Sequence, residues 1–124
     1  MIIGTGIDIV EIARFRKILA GTGERFLKRV FTPEEQRFCL ARQDPAPNLA
    51  ARFAAKEAVF KALGTGWSQG VTWLHVEVSR PEHSAPVILL HGAAREIAAA
   101  KGVTRIHLSL THTNNCAAAT AVLE

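Results

Sequence analysis

The sequence predicts an α+β fold, a mainly antiparallel sheet packed around one long central helix. Three observations predict it. Residues 48–63 form a run long enough for about four helical turns and too apolar for a surface. Alternating strand patterns occupy both ends of the chain. Short helical segments with turn residues between them fill the interval from the first strand to the central run.

The elements follow in order. Residues 2–11 read as a strand: Ile3, Ile7 and Ile9 share one face, while Gly4, Gly6, Asp8 and Val10 share the other. Asp8 thus sits where two glycines remove bulk, and an Asp inside an apolar strand is disfavoured unless it has a task. Residues 11–20 predict a short helix with Ile12, Phe15 and Leu19 inward and Arg14 and Lys17 outward. Gly21-Thr22-Gly23 breaks it, and a second short helix runs to residue 31. Thr32-Pro33-Glu34-Glu35 starts a third, with Thr as N-cap, Pro at the first position and Glu35 closing a capping box. Asp44-Pro45-Ala46-Pro47 is a loop. Beyond the central helix, residues 71–79 and 86–90 predict strands, residues 92–101 an Ala-rich helix ended by Gly102, and residues 106–113 and 116–123 a terminal hairpin turning at Asn114-Asn115.

The central helix carries the chemistry. From Leu49 to Leu63 eleven of fifteen residues are apolar and six are Ala, yet Arg52, Lys56, Glu57 and Lys61 interrupt them. Ordinary buried helices hold few charges. Glu57 and Lys61 lie four apart, on one face, and Gly64-Thr65-Gly66 ends the helix. Two readings stand side by side: an i,i+4 ion pair with a glycine C-cap, or a metal-binding carboxylate beside a phosphate-binding lysine and backbone amides that glycines leave accessible. Lys56 points about 100° away from that face and reads as structural.

The 124 residues suit a single domain, 1–124, and 48% hydrophobic with 21% charged residues is a globular composition. No stretch reaches the roughly 20 apolar residues of a membrane span, and no signal peptide is evident, so a cytoplasmic protein without membrane association is expected. Cys39 and Cys116 form neither a disulfide framework nor a zinc motif. Net charge is +4, and six of the fifteen Lys and Arg residues fall between Arg14 and Arg29 against Glu24 alone. That basic segment suits an acidic protein. A nucleic-acid partner is the rival, opposed by the absence of Tyr, by 6% aromatic content and by the lack of a nucleic-acid motif.

Asp8 and Glu57 are hard oxygen donors, the kind magnesium takes in ones and twos beside waters and substrate phosphates. Neither a Walker loop nor a Gly-x-Gly-x-x-Gly turn is present. Ser109 and His112 add polar groups near a strand end, but on a regular strand they face opposite ways. They share a pocket only if the strand bends or two subunits contribute. A magnesium-dependent phosphodiester or nucleotide hydrolase would use the same carboxylates.

Three segments in order resemble the holo-acyl-carrier-protein synthase family, the small bacterial-type 4'-phosphopantetheinyl transferases. They are Gly4-Thr5-Gly6-Ile7-Asp8-Ile9-Val10, the run from Arg52 to Gly66 with its Lys56-Glu57-Ala58-x-x-Lys61-Ala62 core, and Ser109 to Thr113; Phe31-Thr32-Pro33-Glu34-Glu35 adds to them. The resemblance implies the fold of that family and transfer of the phosphopantetheine arm of coenzyme A to a serine of acyl carrier protein, in fatty acid or polyketide biosynthesis. It implies magnesium on Asp8 and Glu57, phosphate contact by Lys61, coenzyme A contacts at Gly64, Gly66, Ser109 and His112, and carrier-protein docking at Arg14 and Lys17. It also implies a homotrimer with sites between subunits. Glu57, directly or through a water on the metal, is the natural base for the serine, and Asp8 is the alternative. Ser84-Ala85-Pro86 stands where many relatives carry a Gly-Lys-Pro-like turn, so the resemblance assigns no adenine-side contacts there.

Overall fold

The alternation at the N-terminus becomes strand β1 (Gly4–Glu11), and the structure, a computed structural model, describes residues 1–66 and 68–124. Four helices and a short turn follow: α1 (Ile12–Ala20), α2 (Gly23–Val30), α3 (Pro33–Leu40), α4 (Ala46–Leu63), and a 3-10 turn at Trp73–His75. The chain finishes with β2 (Val76–Ser79), β3 (Val87–Leu90), α5 (Gly92–Ala100), β4 (Ile106–His112) and β5 (Cys116–Leu123). The fold is α+β, but the antiparallel strands form two sheets. One has the order β1-β5-β4 and the other pairs β2 with β3.

The expected strand over 71–79 is shorter than its pattern. The His75 ring accepts a hydrogen bond from the Thr72 amide at 3.3 Å, and the His75 amide donates to the Thr72 carbonyl at 3.1 Å. These local bonds hold residues 72–75 in a turn, and extension begins only at Val76. The capping box of α3 forms as its residues predict: the Glu35 amide donates to Thr32 Oγ1 at 3.2 Å, and the Thr32 amide donates to Glu35 Oε1 at 2.8 Å. Helix α4 starts two residues before the expected 48, with Pro47 in its first turn, where a missing N–H costs nothing.

The core sits between α4 and the β1-β5-β4 sheet. The inward face of β5 is Ala117, Ala119, Ala121 and Leu123, all buried. On β1 a Cβ at Gly6 would lie 1.8 Å from the Ala58 carbonyl oxygen, and one at Gly4 2.1 Å from that of Ala62. Small residues on both sides let α4 lie almost backbone to backbone on the sheet, and they bring Asp8, two residues on from Gly6, against the helix. Across α4, Phe15 packs edge-on against Phe53, and Phe53 stacks on Trp73 at 4.7 Å between centroids.

The outer face of the same sheet is open. Ile7 and Ile9 are 65% and 68% exposed, and Ile3 is exposed beside them. Cys39 and Cys116 are free thiols. Among the described residues no helix is long and apolar enough to cross a membrane.

Candidate active site

Lys61 joins the helix motif to the first strand. Its ammonium donates to the Asp8 carboxylate at 3.2 Å and to the Ile7 carbonyl at 2.9 Å. The ion pair is open to solvent on the lysine side, at 53% exposure against 18% for Asp8. Lys61 thus bridges across to β1, rather than serving only as the i,i+4 partner of Glu57 within its helix. Glu57 is half-buried on the same side. Burial pushes its carboxyl above the usual range, the negative charge of Asp8 raises it further, and Lys61 and Arg14 pull it back. The mutual influence of Asp8, Glu57, Lys61 and Arg14 marks a single electrostatic cluster at the meeting of β1, α1 and α4.

The Glu57 carboxyl, raised by burial and by the charge of Asp8, is one of two acidic groups beside the Lys61 ammonium. Among the described residues no group of three or more His, Cys, Asp or Glu could hold a metal ion. Asp8 and Glu57 are hard oxygen donors, of the kind magnesium takes in ones and twos when phosphate oxygens and waters fill its other positions. The chemistry of this donor pair fits the expected metal.

At the helix exit Gly64 has φ +76° and Gly66 φ +53°. The Gly64 amide donates to the Phe60 and Lys61 carbonyls, both at 3.1 Å, so that N–H serves as a helix cap and not as a ligand donor. What Gly64 offers a ligand is an exposed surface beside Lys101, whose Nζ a Cβ there would meet at 3.7 Å; at Gly66 a Cβ would meet nothing within 4 Å.

Ser109 and His112 do point to opposite faces of β4: Ser109 pairs with Thr120 on the open face and His112 with Ala117 on the buried one. They nevertheless line one cleft of about 420 Å³ within a single chain. The sheet order explains this. β4 is an edge strand, and a cleft along an edge is bordered by residues of both parities. The condition that the strand bend or that subunits share the pocket is thereby lifted.

The same cleft holds residues that the sequence did not single out for binding: Asn48, Arg52 and Arg80. Arg52 is 3% exposed, its guanidinium lies 4.2 Å from the centroid of the Phe38 ring, and its Nε has no hydrogen-bond partner. Burial and the positive charge of Arg80 both lower its proton affinity. Two arginines bordering one cleft give it a positive character suited to an anion. The signal in the sequence was a fourth charge on an apolar helix; its direction was not readable without Phe38 and Arg80.

Of the residues expected to receive the carrier protein, Lys17 is exposed on α1, and Arg14 is exposed with its guanidinium 5.0 Å from the Phe53 ring centroid. Arg16 between them is paired with Asp44 at 2.8 Å.

A model of the 4'-phosphopantetheinyl transferase superfamily matches residues 4–120. The chain belongs to that superfamily. Two relatives called holo-[acyl-carrier-protein] synthase show the same likeness in sequence. The one from Anaeromyxobacter dehalogenans is 52% identical over 127 residues, covering 100% of this chain and 97% of the relative. The one from Koribacter versatilis is 47% identical over 124 residues, covering 100% and 99%. Among solved structures, the holo-[acyl-carrier-protein] synthase of Neisseria meningitidis superposes with TM-score 0.89 at 32% identity, covering 100% of this chain and 99% of that one. The Helicobacter pylori enzyme, solved in complex with coenzyme A, gives 0.84 at 31% identity, covering 97% and 99%. This transferase superfamily membership makes the chain an enzyme, and the fold of its solved relatives is the one described above.

Proposed function

We propose that this transferase moves the 4'-phosphopantetheine group of coenzyme A to a serine of apo acyl carrier protein, dependent on magnesium and in support of fatty acid or polyketide biosynthesis in the cytoplasm. The observation that carries the proposal is the cluster of Asp8, Glu57 and Lys61: two carboxylates, one with raised proton affinity, beside an ammonium open to solvent. The relatives named holo-[acyl-carrier-protein] synthase, one of them bound to coenzyme A, support it.

The chain's own groups divide the work. Asp8 and Glu57 would hold the metal, which when bound would supply charge neutralisation of the diphosphate and polarisation of the attacked phosphorus. Glu57, directly or through a water, takes the serine proton, with Asp8 the alternative base. The serine oxygen bonds to the phosphorus that bears the pantetheine, the bond from that phosphorus to the bridging oxygen breaks, and adenosine 3',5'-bisphosphate leaves. Lys61 lies where it can offset the charge gathering on the leaving phosphate. Coenzyme A also carries a 3'-phosphate, and the cleft with Arg52, Arg80, Ser109 and His112 has the chemistry to receive it. Gly64 and Gly66 leave room for the pantetheine arm at the end of α4.

The cluster belongs to β1 and the cleft to β4, the two outer strands of one sheet. The exposed isoleucines of β1 give that sheet an apolar outer face. A homotrimer that covers this face and joins the β1 edge of one copy to the β4 edge of the next completes the coenzyme A site, as a single 124-residue domain per subunit. Arg14 and Lys17, beside the cluster, receive the acidic carrier protein.

The test is mass spectrometry of apo acyl carrier protein incubated with the chain, magnesium and coenzyme A. A gain equal to one phosphopantetheine is expected. No gain, or consumption of coenzyme A without acceptor, would replace transfer by no activity or by hydrolysis.

A further inference from the structure

The proposed chemistry leaves one charge of the α4 motif without a task. Lys56 is fully enclosed, at 0% side-chain exposure, and so is its partner Glu35. An ammonium has three protons, and here each has an acceptor: Glu35 Oε1 at 2.8 Å, the Val76 carbonyl at 2.6 Å and the Trp73 carbonyl at 3.1 Å. Glu35 is equally committed, accepting from the Thr32 amide at 2.8 Å and from the Val78 amide at 2.8 Å. One point on α4 is thereby tied to the start of α3, to the Trp73–His75 turn and to β2.

The tie answers a problem particular to α4. The helix is buried nearly all round, with fourteen of its eighteen residues enclosed, so particular contacts rather than a single apolar stripe set its rotation. Toward the sheet, Ala58 and Ala62 face Gly6 and Gly4, small residues that permit close approach but offer few ridges to interlock. Hydrogen bonds with fixed directions sharpen that register on the side of Lys56. Glu57 follows Lys56 directly, about 100° around the axis. With side-chain ends about 5–6 Å from the axis, a roll of roughly 10° carries the Glu57 carboxylate about 1 Å, a misplacement that costs on the order of 10²-fold in a positioned reaction.

We propose that Lys56 is a positioning residue: through Glu35, Trp73 and Val76 it helps set the rotation of α4, and so holds the Glu57 carboxylate on the side where Lys61 meets Asp8. The role rests on the transferase reading above.

The deciding variant removes both charges together, Lys56→Met with Glu35→Leu, because apolar replacement of a whole buried ion pair is often neutral or stabilising. The expected result is a folded enzyme melting near the wild-type temperature, with kcat down at least about 10-fold and KM values for coenzyme A and carrier protein within about 2-fold. Binding of Mn2+ alone, followed by electron paramagnetic resonance, should weaken by roughly 3- to 10-fold. Wild-type kcat and Mn2+ affinity in that folded variant would overturn the proposal. Should the double variant melt low, Glu35→Gln decides, since it keeps the side chain's shape. Several-fold lower kcat per folded enzyme supports the tie, and unchanged kcat overturns it. Glu57→Gln run in parallel separates the two readings. Full transfer by Glu57→Gln defeats the role of Glu57 itself, whereas an unimpaired double variant beside an inactive Glu57→Gln defeats only the tie.

Discussion

Helix α4 makes two lysine–carboxylate pairs five residues apart, and they behave as different chemistry. Lys56 meets Glu35 at 2.8 Å with both side chains wholly enclosed and every ammonium proton bonded. Lys61 meets Asp8 at 3.2 Å with the lysine half in solvent and Glu57 close enough to feel both charges. The first pair has no capacity left for a ligand, and the second is held open to one. Composition does not separate them. Enclosure does, by deciding whether the charges are spent inside the fold or remain available.

The largest expected effect breaks the pair that is closed. Lys56→Met leaves the buried Glu35 side chain without its cation, which costs about 3–5 kcal/mol, whereas Lys61→Met at the exposed pair costs under about 1 kcal/mol. Urea unfolding at unchanged m-value reads both, and equal losses would erase the contrast. Activity should rank them differently. Lys61→Met, nearly as stable as the wild type, should lose about 10²- to 10³-fold in kcat, the usual loss for one donor to developing charge. Near wild-type turnover in that variant would remove Lys61 from the reaction. Glu57→Gln belongs to the same class, with transfer abolished and the fold retained.

A smaller effect tests the surface beside the open pair. Reversing Arg14 and Lys17 to Glu should raise the carrier-protein KM by about 10-fold while the coenzyme A KM stays within about 2-fold. Lys17→Glu alone gives the cleaner reading, since Arg14 also lies over Phe53 and acts on Glu57. Equal changes in both KM values would point to general damage instead.

The smallest effect concerns proton linkage at Glu57 in the metal-free protein. Its proton affinity is raised in the fold, so the stabilising contribution of the protonated form is present at low pH and is lost as pH rises through the folded pKa. Glu57→Gln removes that loss. The variant should melt above the wild type at neutral pH, and the gap should close toward pH ~4, near the unfolded Glu value. A gap that persists in acid would assign the gain to something other than ionisation.

Much of this arrangement could be read along the chain. The two-residue period of β1 put Asp8 with Gly4 and Gly6, and the structure turns that face to α4 because only glycines admit the helix so closely. The Thr-Pro-Glu-Glu signal placed the start of α3 with its cap bonds. Other features escaped. The turn at Trp73–His75 shortened a strand whose apolar pattern ran further back, since local His75 bonds outcompeted extension. Ser109 and His112 were separated by parity and reunited by an edge cleft that only the strand order creates. Arg52 kept its direction hidden until Phe38 and Arg80 stood beside it.

The sequence by itself determined the presence of the helices, the cap of α3, the faces of the first strand and the common face of Glu57 and Lys61, because periodicity and capping are local physics within a few residues. Only the tertiary structure decided the partners. Lys56 binds a carboxylate twenty-one residues away and Lys61 one fifty-three residues away. Which distant carboxylate each lysine meets depends on the rotation of α4, the register of β1 on β5 and the path of α3, and none of these has a signature along the chain.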